Sequence, residues 1–292
     1  MQVHLVDGTY ELFRYFFALP SHVNGDGEEV AATRGVVGTC LSLLEDGATH
    51  IGVATDHVIE SFRNDLYDGY KDGSDMEPDI VAQFPLIEEA LTAAGFTVWP
   101  MVEYEADDAL GAGALLAAGD DRVEQVLICT PDKDLGQCVG GKVVQYDRRK
   151  ELLYDADGVR EKFGVDPESI PDYLALVGDT ADGFPGLQGW GAKSAAAVLA
   201  RYGHIEDIPA GSLDWDIKVR GAGKLAARLQ DELDLALLFR RIATLAVGPE
   251  VVDTSVDDLR WTGPTDDFSS WCDRLDAPGL GERAAALATA RT

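Results

Sequence analysis

V-E-Y-E-A-D-D-A-L-G at 102–111 and V-L-I-C-T-P-D-K-D-L at 126–135 decide how this chain folds. In the first segment Glu105, Asp107 and Asp108 crowd four consecutive positions, and in the second an apolar run ends in Asp132 and Asp134, two apart. Carboxylates this dense repel one another, and a fold accommodates them most easily around a cation. An acidic first helical turn would explain the first group by itself. The second pair, placed at the end of an apolar strand, favours a metal site.

Working outward, Val3–Val6 reads as a short buried strand ending at Asp7, and His50–Ala54 as a second ending at Asp56. Helical periodicity over 11–19 and Thr33–Leu44 supplies crossovers between them. This pattern predicts a mostly parallel sheet that gathers carboxylates at the carboxyl ends of its strands. A helix over Pro78–Ala94, a strand over Thr97–Trp99, a hairpin from Lys142–Asp147 and Glu151–Tyr154, and a helix over Asp155–Phe163 complete an α/β part. From Asp166 only helices follow: Pro167–Val177, Lys193–Tyr202, Gly223–Leu229 and Asp231–Leu245. The expected organisation is therefore an α/β core over 1–165, a helical subdomain over 166–250, and an extension, 251–292, that packs back through Trp261 and Trp271.

The chain has 292 residues, of which 46% are hydrophobic, enough for packed cores. No apolar run approaches the roughly 20 residues that span a bilayer, and the first residues lack the pattern of a signal peptide. Four scattered cysteines and five histidines show no zinc spacing. A cytoplasmic, reduced protein is expected, with no membrane association. The net charge of −28 opposes nucleic acid at first sight. Its distribution changes that reading: residues 1–165 hold 31 acids and 12 bases, whereas 186–241 hold 7 acids and 8 bases.

Nine carboxylates form the main candidate set: Asp7, Asp56, Glu105, Asp107, Asp108, Asp132, Asp134, Asp179 and Asp182. An all-oxygen set suits Mg²⁺ or Mn²⁺, and so many acids imply two ions, with room for a third. Two ions roughly 4 Å apart are the arrangement used for phosphodiester cleavage. A second constellation, G-D-T-A-D-G-F-P-G-L-Q-G-W-G-A-K-S at 178–194, places Gly186, Gly189 and Gly191 in a turn between helices, ahead of Lys193. Glycines and a helix N-terminus present backbone N–H groups to phosphate, the helix-hairpin-helix style of duplex grip.

These pieces resemble the 5′-nucleases of the flap endonuclease superfamily, close to the N-terminal exonuclease domain of bacterial DNA polymerase I. The matching segments are L-V-D-G (5–8), F-R-Y-F-F-A-L-P (13–20), F-R-N-D-L-Y-D-G-Y-K (62–71), Y-E-A-D-D-A-L-G (104–111), T-P-D-K-D-L (130–135) and the glycine-rich 176–195. The resemblance implies a PIN-like nuclease core, an arch near 62–80 and a helix-hairpin-helix subdomain. It implies one metal site from Asp7, Asp56, Glu105 and Asp107 with Asp108 supporting, and another from Asp132, Asp134 and Asp182 with Asp179 adjacent. Lys71 and Arg14 would contact the scissile phosphate, Tyr70 would stack a displaced base, and Arg63 would touch a strand. The turn 186–191 would hold duplex backbone around K⁺. The implied enzyme is a monomeric exonuclease or flap endonuclease acting on flap, 5′-overhang or nicked DNA, alongside DNA polymerase I or other repair proteins. The rival readings are a catalytically weak DNA-binding protein of the same fold and a PIN-type ribonuclease. The arch is usually basic, whereas 65–79 here is acidic, which predicts salt-sensitive binding.

Overall fold

Val, Ile and Leu make up half or more of two of the runs that become strands, Gln2–Asp7 and Gln125–Cys129, and burial on both faces suits these to the parallel interior of an α/β layer. The structure, a computed structural model, describes residues 1–74 and 76–291. Residues 1–59, 73–130 and those from 246 onward form one compact unit; residues 60–72 and 131–245 form another. Asp75, part of the acidic 65–79 segment, lies outside the described residues.

In the first unit the chain runs β1 (Gln2–Asp7), α1 (Gly8–Ala18), α2 (Ala31–Glu45), β2 (His50–Asp56), α3 (Pro78–Val81), α4 (Gln83–Ala93), β3 (Thr97–Met101), α5 (Ala106–Ala118) and β4 (Gln125–Cys129). These four strands lie in the order β3-β2-β1-β4, all parallel. Asp7 pairs in register with Ala54, and Val6 with Cys129, so the carboxyl ends of β1, β2 and β4 share one edge. Gly8 is required at the end of L-V-D-G, because a Cβ there would come within 2.7 Å of Thr55 and 2.8 Å of the Ala54 carbonyl. The single helix expected over Pro78–Ala94 is broken at Ala82 into α3 and α4. Pro85 lacks an N–H and its ring crowds the carbonyl four residues earlier, at Val81, where α3 stops.

The second unit holds the antiparallel pair β5 (Val143–Asp147) and β6 (Leu152–Tyr154) and the helices α6 (Ala156–Phe163), α7 (Ile170–Val177), α8 (Ala192–Tyr202), α9 (Ala222–Asp231) and α10 (Leu233–Ala243). Asp155 caps α6 by accepting from Gly158 N–H at 2.9 Å. Val139, Val159, Val165, Ile170, Leu174, Phe184 and Phe239 belong to one buried cluster, which draws the hairpin region into the helical unit. Compact units therefore divide between 130 and 131, although helices alone begin only after 165. The segment 60–72 joins this unit through Tyr70, which is only 6% exposed.

α11 (Phe268–Arg274) and α12 (Pro278–Ala290) return to the first unit, against α4 and α2. Trp261 anchors the return: its backbone N–H donates to Thr49 O at 2.9 Å, its indole N–H to Ala94 O at 2.8 Å, and its ring stacks on Phe96. Trp271 is half-buried, with the Arg274 guanidinium over its ring. Among the described residues no helix is long and apolar enough to cross a membrane, and none of the four cysteines is in a disulfide. Trp261→Ala should lower unfolding stability by about 3–5 kcal/mol, the range for truncating a packed aromatic. A urea titration read by circular dichroism measures it.

Candidate active site

The first unit places three of its acids by backbone chemistry. Asp7 follows directly from β1 and caps α1: one oxygen accepts from Tyr10 N–H and the other from the Thr130 hydroxyl, both at 2.8 Å. Asp56 closes β2; the Thr9 hydroxyl accepts its N–H at 2.8 Å, and its carboxylate accepts from Ala106 N–H at 2.7 Å, the first residue of α5. Glu105 is the N-cap of α5 and 4% exposed, and Asp107 is half-buried in the first turn. Thr130 therefore orients the Asp7 carboxylate and Thr9 fixes the backbone at Asp56, roles not read from the sequence. A hydroxyl residue at the end of an apolar strand, as at Thr130, was the available signal.

Asp108 sits behind the other acids. It is fully buried, and its two oxygens accept from Glu105 N–H at 2.9 Å and Ala246 N–H at 2.8 Å. It is the second half of a capping box that braces α5 and Glu105 and ties them to the returning C-terminal segment.

In the second unit, ligand atoms of Asp134, Asp179 and Asp182 lie within 4.8 Å of one another. Asp132 adds to the group by accepting from Asp134 N–H at 3.1 Å. Burial, then the charges of Asp132, Asp182 and Asp179, push Asp134 well above the usual carboxylate range, with Lys133 opposing. Its Oδ1 is buried without a hydrogen-bond partner. Buried acceptors are nearly always satisfied, so this orphaned oxygen fits a hard cation, and the all-carboxylate set fits Mg²⁺-like ions rather than softer metals. Two lysines offset the remaining charge: Lys133 Nζ lies 2.5 Å from Asp179 and Lys71 Nζ 2.9 Å from Asp182. The sequence reading passed over Lys133, although a cation wedged between two acids in P-D-K-D was its signal.

Arg14 pairs with Glu11 and lies 4.0 Å over the Tyr15 ring, 24% exposed. Arg63 and Tyr70 are corrections. Arg63 is 2% exposed and donates to Ile242 O at 2.8 Å and Thr244 O at 3.3 Å, which makes it an internal strut and withdraws it from any strand. Tyr70 is part of the buried core, so its ring offers no open face for a base. In the glycine turn, Gly186 is buried against Gly178: a Cβ on Gly186 would sit 2.3 Å from Gly178 N, and both residues have positive φ. Gly189 and Gly191 face open space and Lys193 is exposed at the start of α8. The turn thus splits into a packing glycine and two exposed ones.

A family model described as "5′-3′ exonuclease, N-terminal resolvase-like domain" matches residues 2–164, and one described as "5′-3′ exonuclease, C-terminal SAM fold" matches 165–267. The 5′-3′ exonuclease of Aquifex aeolicus is 35% identical over 208 residues, 70% of this chain and 71% of that protein. DNA polymerase I of Pseudomonas aeruginosa is 35% identical over 259 residues, 87% of this chain, and the chain spans only 28% of that relative's length. The 5′-exonuclease of bacteriophage T5, solved with bound zinc ions, has the same fold, with a TM-score of 0.67 at 20% identity over 94% of this chain and 100% of that one.

Asp134 generates a pH-linked expectation. Its folded value is raised, so the buried group costs nothing while protonated at low pH and destabilises progressively as pH rises through and above the ordinary carboxylate range. In EDTA at neutral pH, Asp134→Asn should gain on the order of 1–3 kcal/mol, as relief of one buried unsatisfied group, and the gain should vanish near pH 4. Thermal melts across pH measure both. Arg63→Ala should lose about 2–5 kcal/mol by leaving carbonyls unpaired, read by urea denaturation.

Proposed function

This chain belongs to the 5′-3′ exonuclease family, and on that premise we propose that it is a divalent-metal-dependent 5′-nuclease that hydrolyses phosphodiester bonds in flap, 5′-overhang or nicked DNA. The observation that carries this reading is the buried, orphaned oxygen of Asp134 within a three-carboxylate group. In the proposal, Asp7, Asp56, Glu105 and Asp107 bind one Mg²⁺ or Mn²⁺ and Asp132, Asp134, Asp179 and Asp182 bind another. A bound divalent ion supplies the charge that polarises the phosphodiester and makes water a better nucleophile at neutral pH.

The chain's own groups do the positioning. The Thr130 hydroxyl and the Ala106 N–H hold the Asp7 and Asp56 carboxylates, and the Thr9 hydroxyl fixes the backbone at Asp56, so these acids are oriented before an ion arrives. Lys71 is proposed to exchange its ion pair with Asp182 for the scissile phosphate, and Arg14 to act on the same phosphate from α1. Gly189, Gly191 and Lys193 are proposed to meet duplex phosphates at the start of α8, where unpaired N–H groups favour anions. K⁺ is assigned to the same turn on family resemblance.

Incision of a labelled double-flap DNA in Mg²⁺ and in Mn²⁺ tests the reading. Asp134→Ala should lower the rate by about 10²–10³-fold or more, EDTA should abolish it, and junction binding should persist. Junction binding without cleavage by the unaltered chain in either metal would turn the assignment to a binding protein of the same fold.

A further inference from the structure

β2 carries Asp56 at one end. At the other, a cavity of about 310 Å³ is lined by Thr49, Arg260, Trp261, Thr262, Ala288 and Arg291. Six residue steps of roughly 3.3 Å separate His50 from Asp56, about 20 Å along the strand, so the cavity lies outside the carboxylate group of that unit. Its lining holds two guanidinium groups, two threonines and no acid, in a chain with 52 acids and 24 bases.

Neither guanidinium there is paired with a carboxylate, as many arginines of this chain are. Among the described residues the Arg260 side chain has neither an ion pair nor a hydrogen bond, whereas Arg122, Arg160, Arg201, Arg274 and Arg283 are each paired with carboxylates. Arg291 donates its hydrogen bonds through Nη2, to Leu44 O at 2.6 Å and Ala48 O at 2.8 Å, and its guanidinium lies 5.6 Å from the Trp261 ring centroid, which leaves Nη1 and Nε without a carboxylate. The acids nearest in sequence are occupied elsewhere: Asp257 pairs with Arg122, and Asp258 accepts from the Ser255 N–H and hydroxyl. Trp261, buried and fixed by its bond to Ala94 O, forms a rigid wall. Buried His50 next to Thr49 is pushed down, first by burial and then by Arg260, with the N-terminal amine and Arg122 acting the same way and Asp257 opposing. Positive charge therefore dominates this corner.

We propose that this cavity binds an anion of the phosphate class, either inorganic phosphate or the phosphate of a nucleotide, through the Arg260 and Arg291 guanidinium groups and the Thr262 hydroxyl, with Thr49 Oγ1 held 2.8 Å from His50 Nδ1 at the rim. Two guanidinium forks beside a hydroxyl donor match a tetrahedral oxyanion in geometry as well as charge.

Isothermal titration of the full chain in EDTA, with inorganic phosphate, a 5′-mononucleotide and the matching nucleoside, tests the site; chelation leaves the acidic groups to repel these anions. Hydrogen exchange locates the binding. Phosphate and mononucleotide should bind at millimolar or lower concentration and protect 49–50 and 260–262, and the nucleoside should not. Arg260→Gln should weaken binding about tenfold or more, the loss of one charge-assisted contact, and Thr262→Val should weaken it less. Arg260→Gln should keep the unfolding midpoint and the cleavage rate, which separates this site from the nuclease reading. Equal binding of phosphate and mononucleotide would mean that the phosphate alone is read, and tighter mononucleotide binding that the base or sugar adds contacts; both support the site. No binding to the unaltered chain, protection elsewhere, equal nucleoside binding, or undiminished affinity in Arg260→Gln would each overturn it.

Discussion

Repulsion between carboxylates that cannot move apart is the constraint from which much of this molecule follows. Asp134 is buried beside Asp132, Asp179 and Asp182, and like charges at such separations each cost free energy in a medium less polar than water. The chain answers with Lys133 and Lys71, each aimed at one acid of the group. That leaves more carboxylates than cations, and under the proposed reading the surplus is what would draw a metal ion. In the first unit the answer differs. There Asp7 and Asp56 are ringed by backbone N–H groups and hydroxyls, which stabilise carboxylates without neutralising them.

The parts of the fold that local chemistry specifies were legible in the sequence. β1, β2 and β4 are short apolar runs closed by Asp7, Asp56 and Thr130-Pro131, and no helix could bury such runs as economically. The ends of α1 and α6 follow from Asp7 and Asp155, both good N-caps. Pro85 is the counter-example: it lies within an apolar periodic stretch, and its effect was hidden by the pattern around it.

What stayed illegible depends on partners far away in sequence. Arg63 is expected on family resemblance to touch a strand, whereas it donates to the carbonyls of Ile242 and Thr244, about 180 positions on. Asp108 looked like one more acid of a dense group, yet one of its oxygens is claimed by Ala246 N–H. Tyr70 shares its burial with helices that begin a hundred residues later. The acids of the candidate site were easier to pick out, because mutual proximity in sequence, as in Glu105-Ala-Asp107 and Asp132-Lys-Asp134, already carries the physics.

The chain visits its two compact units in alternation, entering the second at 60–72, leaving it, returning at 131–245 and ending in the first. Emergence from a ribosome is sequential, so neither unit has all its pieces until most of the polypeptide exists. The buried guanidinium of Arg63 must wait for Thr244, and Thr49 O for Trp261 N–H. Contacts of such long range slow the search for the native state and lengthen the interval in which apolar strands are unprotected. The same interleaving makes the fold hard to dissect: a cut at 165 separates Arg63 from its acceptors and β2 from its anchor, so the two halves are not independent folding modules.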